Sequence, residues 1–276
     1  MRIIITGAGG QLGQALQRAL GTSDLVPLTR AELDVADPGA SDRLAGLKPE
    51  VVIHCAAWTD VDGCARQPDR AYKINAFGAQ NVALGCQRAG AALVYISTNE
   101  VFDGQADEPY HELAPTHPLN PYAQSKLAGE QMAARLLQRL YIVRTAWVFA
   151  RGGDNFPAKI IRAADERGEL RVVTDEVSNP TYAPDLAGAI AQLIETGHYG
   201  IYHFTNEGAC SRYEYAVEIL KQSGRASIPV RPITSDAFQR ASTPPPYAPL
   251  KNTAGAALGI RLRPWPAALA DYIYKG

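Results

Sequence analysis

The chain has 276 residues, a formal net charge of −1 and an apolar content of 46%, which suffices for the core of one large domain or of one domain with a smaller appendage. Because acidic and basic residues are interspersed and balanced, neither nucleic acid nor a membrane surface is expected as a partner. No run approaches the roughly 20 apolar residues that a membrane span requires, and the first residues lack the order of a signal peptide.

The cysteines add a prediction about location. Cys55, Cys64, Cys86 and Cys210 show neither a CxxC spacing nor accompanying histidines. Buried or partly buried free thiols are therefore expected, as in a reducing compartment. The sequence predicts a cytoplasmic protein whose active centre holds no metal.

The first predicted elements are a short apolar strand over residues 2–6 and a helix that runs to about residue 20, with a glycine-rich loop between them. Gly7, Gly10 and Gly13 allow a tight turn, the close approach of a pyrophosphate and close packing of the helix on the strand. The phosphates would then lie at the positive end of the helix. This strand–loop–helix context predicts a dinucleotide-binding site.

The second predicted strand, residues 25–28, ends at Thr29 and Arg30. A site for NAD often places an Asp or Glu at this strand end for the ribose 2′-hydroxyl. An Arg can instead bind the 2′-phosphate of NADPH through charged hydrogen bonds. The sequence therefore predicts NADPH as the cofactor, with NADH still usable, although Glu32 lies close by.

A helix near residues 39–47 and a strand over 51–55 follow, and the strand leads into Ala56 and Ala57, small residues that let a cofactor lie against its end. A long helix is expected over 68–88 and a strand over 92–96. That strand ends at Ser97, Thr98 and Asn99. Open α/β sheets place chemistry at the carboxyl ends of parallel strands, although an ordinary turn also uses these residue types.

Asn120 and Pro121 suit the cap and the first position of a helix. Apolar residues continue at helical spacing after them, namely Leu127, Met132, Leu136, Leu137 and Leu140. Tyr122 and Lys126 would lie one turn apart, so that the ammonium lowers the pKa of the phenol and suits it to proton transfer. The same spacing recurs at Tyr247 and Lys251, but the proline-rich stretch 243–249 makes a helix unlikely there.

Alternating strands and helices over residues 1–150 predict an α/β fold with a doubly wound parallel Rossmann-type sheet that binds the dinucleotide. Residues 151–276 show a less regular pattern of predicted elements. Strand-like segments lie near 170–173, 199–204 and 228–231, and helices near 184–195 and 212–222. They are expected to form mainly a smaller substrate-binding lobe. Parts of 183–210 are expected to return to the first domain.

With these elements placed, the sequence resembles the extended short-chain dehydrogenase/reductase superfamily over essentially its whole length, and within it the dTDP-4-dehydrorhamnose reductases. The stretches that carry the resemblance are residues 6–13, 55–62, 97–104, 120–130, 144–149 and 178–183. It implies reduction of the C4 ketone of a nucleotide-linked 4-keto-6-deoxy sugar with NADPH, converting dTDP-4-dehydro-L-rhamnose to dTDP-L-rhamnose.

The resemblance also implies roles for individual residues. Tyr122 would donate the proton, Lys126 would activate it and bind the cofactor ribose, and Thr98 would hold the substrate carbonyl. The substrate-contacting positions of the family fall on Val61, Thr98, Asn99 and Trp147. The cofactor positions fall on Gly7, Gln11, Leu12, Gly13, Asp34, Val35, Ala57, Trp58 and Thr59.

The chain departs from the family at Asn99 and Glu100, where an Asp-Tyr pair is common. A reductase or epimerase of another nucleotide sugar therefore remains an alternative, as does a non-catalytic regulatory subunit of the same fold. Some members form metal-bridged dimers through an acidic residue of the first helix. Because Ala15 stands at the matching position, no metal is carried over, and a monomer or a homodimer remains open.

Overall fold

The structure, a computed structural model, describes residues 1–21, 24–237 and 240–274. Its strands, in chain order, are β1 (Arg2–Thr6), β2 (Asp24–Leu28), β3 (Val51–His54), β4 (Ala92–Thr98), β5 (Leu140–Thr145), β6 (Val148–Phe149), β7 (Leu170–Val173), β8 (Val177–Ser178), β9 (Thr181–Tyr182), β10 (Gly200–His203), β11 (Cys210–Ser211) and β12 (Val230–Ile233).

The α-helices are α1 (Gln11–Ala19), α2 (Ala40–Gly46), α3 (Val61–Arg66), α4 (Pro68–Ala71), α5 (Gly78–Ala89), α6 (Pro121–Leu136), α7 (Phe156–Arg167), α8 (Ala183–Thr196), α9 (Arg212–Gln222), α10 (Ala254–Ala257) and α11 (Trp265–Tyr274). A π-helical turn, Tyr72–Phe77, joins α4 to α5, and short 3-10 helices lie at Asn99–Val101 and Ser235–Ala237.

Six parallel strands form the central sheet, in the order β10-β5-β4-β3-β1-β2. Successive side chains of a strand face opposite sides of a sheet, and both sides of β1 are apolar. Ile3 and Ile5 pack with α1 and α8, whereas Ile4 packs with α2 and α5. Helices therefore cover both faces, and the predicted doubly wound parallel sheet is confirmed.

The order of the strands reverses between β1 and β3, because the chain adds β2 on one side of β1 and then returns to the other. Open parallel sheets bind ligands at such a switch point, beyond the carboxyl ends of the strands. The glycine-rich loop after β1, Cys55 after β3 and Asn99 after β4 are thereby brought to one rim of the sheet.

Strand β2 forms one edge of the sheet and contains Pro27, which pairs in register with Ile5. The N–H group of Ala8 donates to the carbonyl of Leu28 (3.1 Å), so the backbone of Leu28 faces β1. Because backbone groups alternate along a strand, the position of Pro27 faces the open side, where its missing N–H leaves no donor.

The elements after residue 150 pack in two places. Helix α8 covers the central sheet and β10 extends it. Helices α7, α9 and α11 instead pack with β7 around Tyr215, which is fully buried against the rings of Phe149, Phe156 and Trp265. This second core adjoins the rim, since Phe149 closely follows β5.

Helix α6 ends earlier than its apolar spacing predicts. The expectation that Leu137 and Leu140 continue it is wrong, because Leu137 is extended (φ −130°, ψ 131°) and Leu140 opens β5. Both residues pack in the same core as the helix, so apolar spacing continues across the turn. Helices α3, α7 and α11 were not predicted, and Asp60 caps α3 by accepting a hydrogen bond from the Gly63 N–H (2.9 Å).

Candidate active site

Two adjoining cavities lie at the rim, one of about 400 Å³ and one of about 350 Å³, and every predicted site residue lines one of them. The first is lined by Gln11, Leu12, Gly13, Thr59, Val61, Thr98, Asn99, Tyr122, Lys126 and Trp147. The second is lined by Arg30, Asp34, Val35, Ala56 and Trp58. Gly7, Gly10 and Ala57 line both. A larger surface depression, about 690 Å³ between Arg151 and Tyr274, contains none of them.

The glycine-rich loop has the geometry of a phosphate site. Gly7 has a positive φ of 70°, and a Cβ on it would lie 2.6 Å from the Ala56 nitrogen. A Cβ on Gly13 would lie 2.5 Å from the Gly7 carbonyl oxygen. Gly10 precedes α1, and no side chain caps that helix. The first N–H groups of α1 therefore remain available to an anion, which fits the pyrophosphate of a dinucleotide.

The second cavity ends beside two charged residues of the loop after β2. Arg30 is exposed (72% of its side chain) and pairs with Asp34 at 3.2 Å. Glu32 turns away to accept hydrogen bonds from the N–H and hydroxyl of Thr29 (2.7 and 2.8 Å). The Glu32 carboxylate, which could have favoured NADH, is thus bound to Thr29, while the Arg30 guanidinium faces the cavity and solvent.

The loop after β3 is held by Asn75 in the π-helical turn. Its amide accepts from the Trp58 N–H (2.8 Å) and donates to the Trp58 carbonyl (3.1 Å) and to the Ser125 hydroxyl (3.0 Å). Ser125 donates in turn to the carbonyl of Tyr122 (2.7 Å). One buried amide therefore connects the wall of the cofactor cavity to α6, a role that no sequence motif indicated.

Tyr122, only 9% exposed, lines the first cavity together with Thr98 at the end of β4. Burial raises the pKa of Tyr122 and the negative charge of Glu100 raises it further, while the neighbouring Thr98 hydroxyl opposes them. The predicted lowering of this pKa by Lys126 is wrong. Its ammonium points instead at the carbonyl of Ile96, to which it donates at 2.7 Å.

Lys126 is buried beneath the cavity, with its ammonium 4.2 Å from the centre of the Tyr95 ring. Burial lowers the pKa of Lys126 to about 8, and the charge of Glu130 opposes this shift. Tyr122 and Lys126 therefore line one cavity, while the ammonium donates its hydrogen bond to the Ile96 carbonyl.

Glu100, at which the sequence departs from the family it resembles, also lines the first cavity. Its carboxylate accepts a hydrogen bond from Asn120 (2.8 Å), the residue that caps α6. Burial raises the pKa of Glu100, whereas Asn120, Arg212 and Arg240 lower it. The carboxylate is thus partly neutralised by cations of the later chain.

Asn99 joins Thr98 to the second half of the chain, because its amide oxygen accepts from the Thr98 hydroxyl (3.4 Å) while its amide nitrogen points to later residues. It donates to the Ser178 hydroxyl and to the Ala248 carbonyl, both at 3.0 Å. These contacts connect the end of β4 to the second half of the chain. Its remaining atoms line the cavity.

A third cavity, about 630 Å³, shares Thr59, Val61 and Trp147 with the first and is lined by Arg212 and Arg240. The Arg212 guanidinium lies 3.6 Å from the centre of the Trp147 ring. Trp147 has a positive φ of 41°, a conformation that bulky residues rarely adopt and that structures retain at functional sites. No motif in the sequence indicated either arginine.

The whole chain, residues 1–276, matches the family model described as RmlD substrate binding domain. The chain belongs to this family. It is 41% identical to the dTDP-4-dehydrorhamnose reductase of Mycobacterium tuberculosis, over 98% of this chain and 91% of that protein. It is 38% identical to the spore coat polysaccharide biosynthesis protein SpsK of Bacillus subtilis, over 99% and 97%.

A solved structure of this family agrees with the fold. The dTDP-4-dehydrorhamnose reductase of Bacillus anthracis, in complex with NADP, superposes with a TM-score of 0.96 at 38% identity and covers 100% of this chain and 99% of that one. The resemblance found in the sequence is thereby confirmed.

The cysteines, the helices and the metal-ligating side chains of this chain can also be compared with the predictions. Its four cysteines are free, with Cys55 partly exposed and the others buried, as predicted. Within the described ranges no helix is long and apolar enough to cross a membrane. The same part of the chain contains no group of three or more metal-ligating side chains.

Proposed function

We propose that the protein reduces the C4 ketone of a nucleotide-linked 4-keto-6-deoxy sugar with NADPH, taking dTDP-4-dehydro-L-rhamnose to dTDP-L-rhamnose. The observation that carries the proposal is that Tyr122 and Thr98 line the same cavity as the glycine-rich loop. The named relatives support the reaction, and the free thiols are in keeping with a cytoplasmic location.

Bound NADPH supplies the hydride that reduces the ketone. The Thr98 and Tyr122 hydroxyls donate hydrogen bonds to the carbonyl oxygen, and Tyr122 gives its proton to the alkoxide that forms. The raised pKa of Tyr122 keeps the phenol protonated through neutral pH, and an alkoxide is the stronger base. The Lys126 ammonium, buried beside this cavity, stabilises the phenolate that remains and binds the cofactor ribose.

We assign the cofactor to the first domain, residues 1–150, and the substrate mainly to residues 151–276, with parts of 183–210 returning to the sheet. Two arginines of the third cavity, which Asp60, Asp62 and Asp154 also line, support this division. Arg212, held between the rings of Trp147 and Phe156, and Arg240 are placed to attract the diphosphate of a nucleotide sugar.

Glu100 favours a second candidate substrate, another nucleotide sugar whose hydroxyl or amine would donate to this carboxylate. A negative charge opposes a diphosphate, but Asn120, Arg212 and Arg240 reduce that effect. A regulatory subunit without turnover is less well supported, since a scaffold has no need for the arrangement of Thr98, Tyr122 and Lys126.

The proposal is tested by incubating the purified protein with NADPH and a panel of nucleotide 4-keto sugars while the nicotinamide absorbance is followed. We expect loss of absorbance with dTDP-4-dehydro-L-rhamnose. Turnover of a different nucleotide sugar alone would select the second candidate. Binding of NADPH without turnover of any of them would overturn the reductase.

The same assay tests the proton donor. Tyr122→Phe keeps the ring but removes the proton, so turnover should fall by about 10²-fold or more, while NADPH binding changes little. Tyr247→Phe is the matched control, because Tyr247 lies in a non-helical stretch and lines neither cavity. Comparable losses from both substitutions would contradict the assignment.

A further inference from the structure

Behind the first cavity lies a buried ion pair that the proposed reaction does not use. Glu130 and Arg144 are each 3% exposed. The Glu130 carboxylate accepts two hydrogen bonds from Arg144, from Nε (3.0 Å) and Nη2 (2.7 Å), and a third from the Ser97 hydroxyl (2.5 Å). A bidentate pair of this kind is strong and fixes the orientation of both side chains.

The pair connects the three elements that position the candidate catalytic residues. Ser97 precedes Thr98 on β4, Arg144 precedes Thr145 at the end of β5, and Glu130 lies one helical turn after Lys126 on α6. A substitution in the Glu130–Arg144 pair would therefore alter the elements that carry the candidate catalytic residues, although neither residue lines the cavity.

Lys126 occupies a site with little other negative charge. Its ammonium contacts the Ile96 carbonyl and the Tyr95 ring, and Tyr122 precedes it on the same helix. At the end of β3 it faces His54 and the following Cys55, and both are uncharged at neutral pH: burial lowers the pKa of His54 to about 3 and raises that of Cys55 to about 12. Burial also raises the pKa of Tyr95. Glu130 lies one turn along the same helix, and its carboxylate binds Ser97, the residue next to the Ile96 carbonyl that Lys126 binds. Its negative charge therefore lies beside the ammonium and favours the protonated form.

We propose that Glu130 is a positioning residue that keeps Lys126 protonated in its buried site, and that Arg144 holds the carboxylate in place for this task. The proposal deepens the proposed function, because Lys126 belongs to the same site. Without Glu130 the ammonium would lose its nearby counter-charge and would release its proton at a lower pH.

The ionisation of Lys126 can be measured directly, by NMR titration of protein labelled with ¹³C at the lysine ε-carbons, with Lys126→Met identifying the signal. The wild-type midpoint is expected at about 8. An opposite charge within about 4–6 Å shifts a pKa by roughly 1–3 units. Since Arg144 offsets part of the charge, Glu130→Gln should lower the midpoint by about one unit.

Two control variants separate charge from structure. Glu130→Asp retains a carboxylate and should restore most of the midpoint, and Ser97→Ala removes one hydrogen bond but no charge and should leave it near the wild-type value. If Glu130→Gln does not fold, the double variant Glu130→Gln/Arg144→Gln removes the charge of both partners and should still lower the midpoint.

A wild-type midpoint in Glu130→Gln, or in the double variant, would overturn the proposal, as would an equal shift in Ser97→Ala. Because the titration needs no substrate, its result is independent of whether the protein reduces a sugar. Failure of the reductase assay would leave the titration intact, and an unshifted midpoint would leave the reductase assignment intact.

Discussion

Arg30 illustrates how one side chain can select between two cofactors. The 2′-phosphate of NADPH offers the charged oxygens that a guanidinium binds, whereas NADH offers a hydroxyl that a carboxylate binds better. In the structure Arg30 borders the second cavity. Glu32, the nearby carboxylate that could bind a ribose hydroxyl instead, accepts hydrogen bonds from Thr29. The ion pair of Arg30 with Asp34 is exposed and therefore weak.

We therefore expect Arg30→Ala to weaken NADPH binding and to leave NADH binding unchanged. A charged hydrogen bond contributes roughly 1.5–3 kcal/mol, and the exposure of Arg30 favours the lower end, about tenfold in the ratio of the two affinities. Titration of both cofactors at one salt concentration measures this ratio. Arg18→Ala, an exposed arginine at the far end of α1, is the control. An unchanged ratio in Arg30→Ala would remove Arg30 as the discriminator.

At the scale of elements, α6 shows how one residue can serve both a helix and a cavity. The Asn120 side chain accepts from the Ala123 N–H (2.9 Å) and thereby caps the helix that presents Tyr122. It also donates to Glu100 (2.8 Å) and to the Thr243 carbonyl (3.2 Å). The cap, the carboxylate in the cavity and the proline-rich stretch are therefore coupled through a single amide.

Substitutions at Asn120 should separate these tasks. Asn120→Ala removes the cap as well as the donors, and loss of a cap alone costs about 1 kcal/mol of the free energy of unfolding. Asn120→Ser retains a good cap and loses the amide donors. We expect a smaller loss for Asn120→Ser than for Asn120→Ala in urea unfolding at neutral pH. Equal losses would show that the cap contributes nothing measurable.

The start of α6 could be predicted because capping is local: Asn120 and Pro121 act within one turn. The end of α6 could not be predicted, because Leu137 and Leu140 pack in the same core as the helix without belonging to it. The same distinction holds in the site. The glycine-rich loop and Tyr122 carry local signals, whereas Asn75 and Glu130 act through partners distant in sequence.

The pKa of Tyr122 shows the same limit in electrostatic terms. The spacing to Lys126 correctly placed both residues at one cavity, yet the direction of the Lys126 side chain depends on the Ile96 carbonyl of β4, 30 residues earlier in the chain. The burial of the phenol and the approach of Glu100 also arise only from the folded chain. A spacing rule therefore located the pair but gave the wrong sign for the effect.

At the scale of the whole molecule, the central sheet holds two histidines that must remain neutral. His54 on β3 and His203 on β10 are buried and bond through Nδ1, to Thr6 (2.6 Å) and to the Tyr110 carbonyl (2.9 Å) respectively. Burial is the main cause that lowers their pKa values, to about 3 and about 4. An unfolded histidine titrates near pH 6.5.

The unfolded chain therefore binds more protons than the native one between about pH 6.5 and 4, so stability rises with pH in this window and falls on acidification. At pH 5 both histidines are still neutral in the native protein. Each should therefore lower the free energy of unfolding at pH 5 by on the order of 2 kcal/mol relative to pH 7. Urea unfolding at the two pH values measures the difference. In the double variant His54→Asn/His203→Asn the difference should shrink by the corresponding amount, and an undiminished difference would contradict this account.

Pro27 has a consequence for the behaviour of the protein at high concentration. An open sheet edge with regular donors is a template on which other chains can add strands and aggregate. On the free side of β2 the row of N–H donors is interrupted at Pro27, so a strand added to this short edge would lack one hydrogen bond. Replacement of this proline by a β-branched residue would complete the row of donors and expose the chain to fibrillar association during folding.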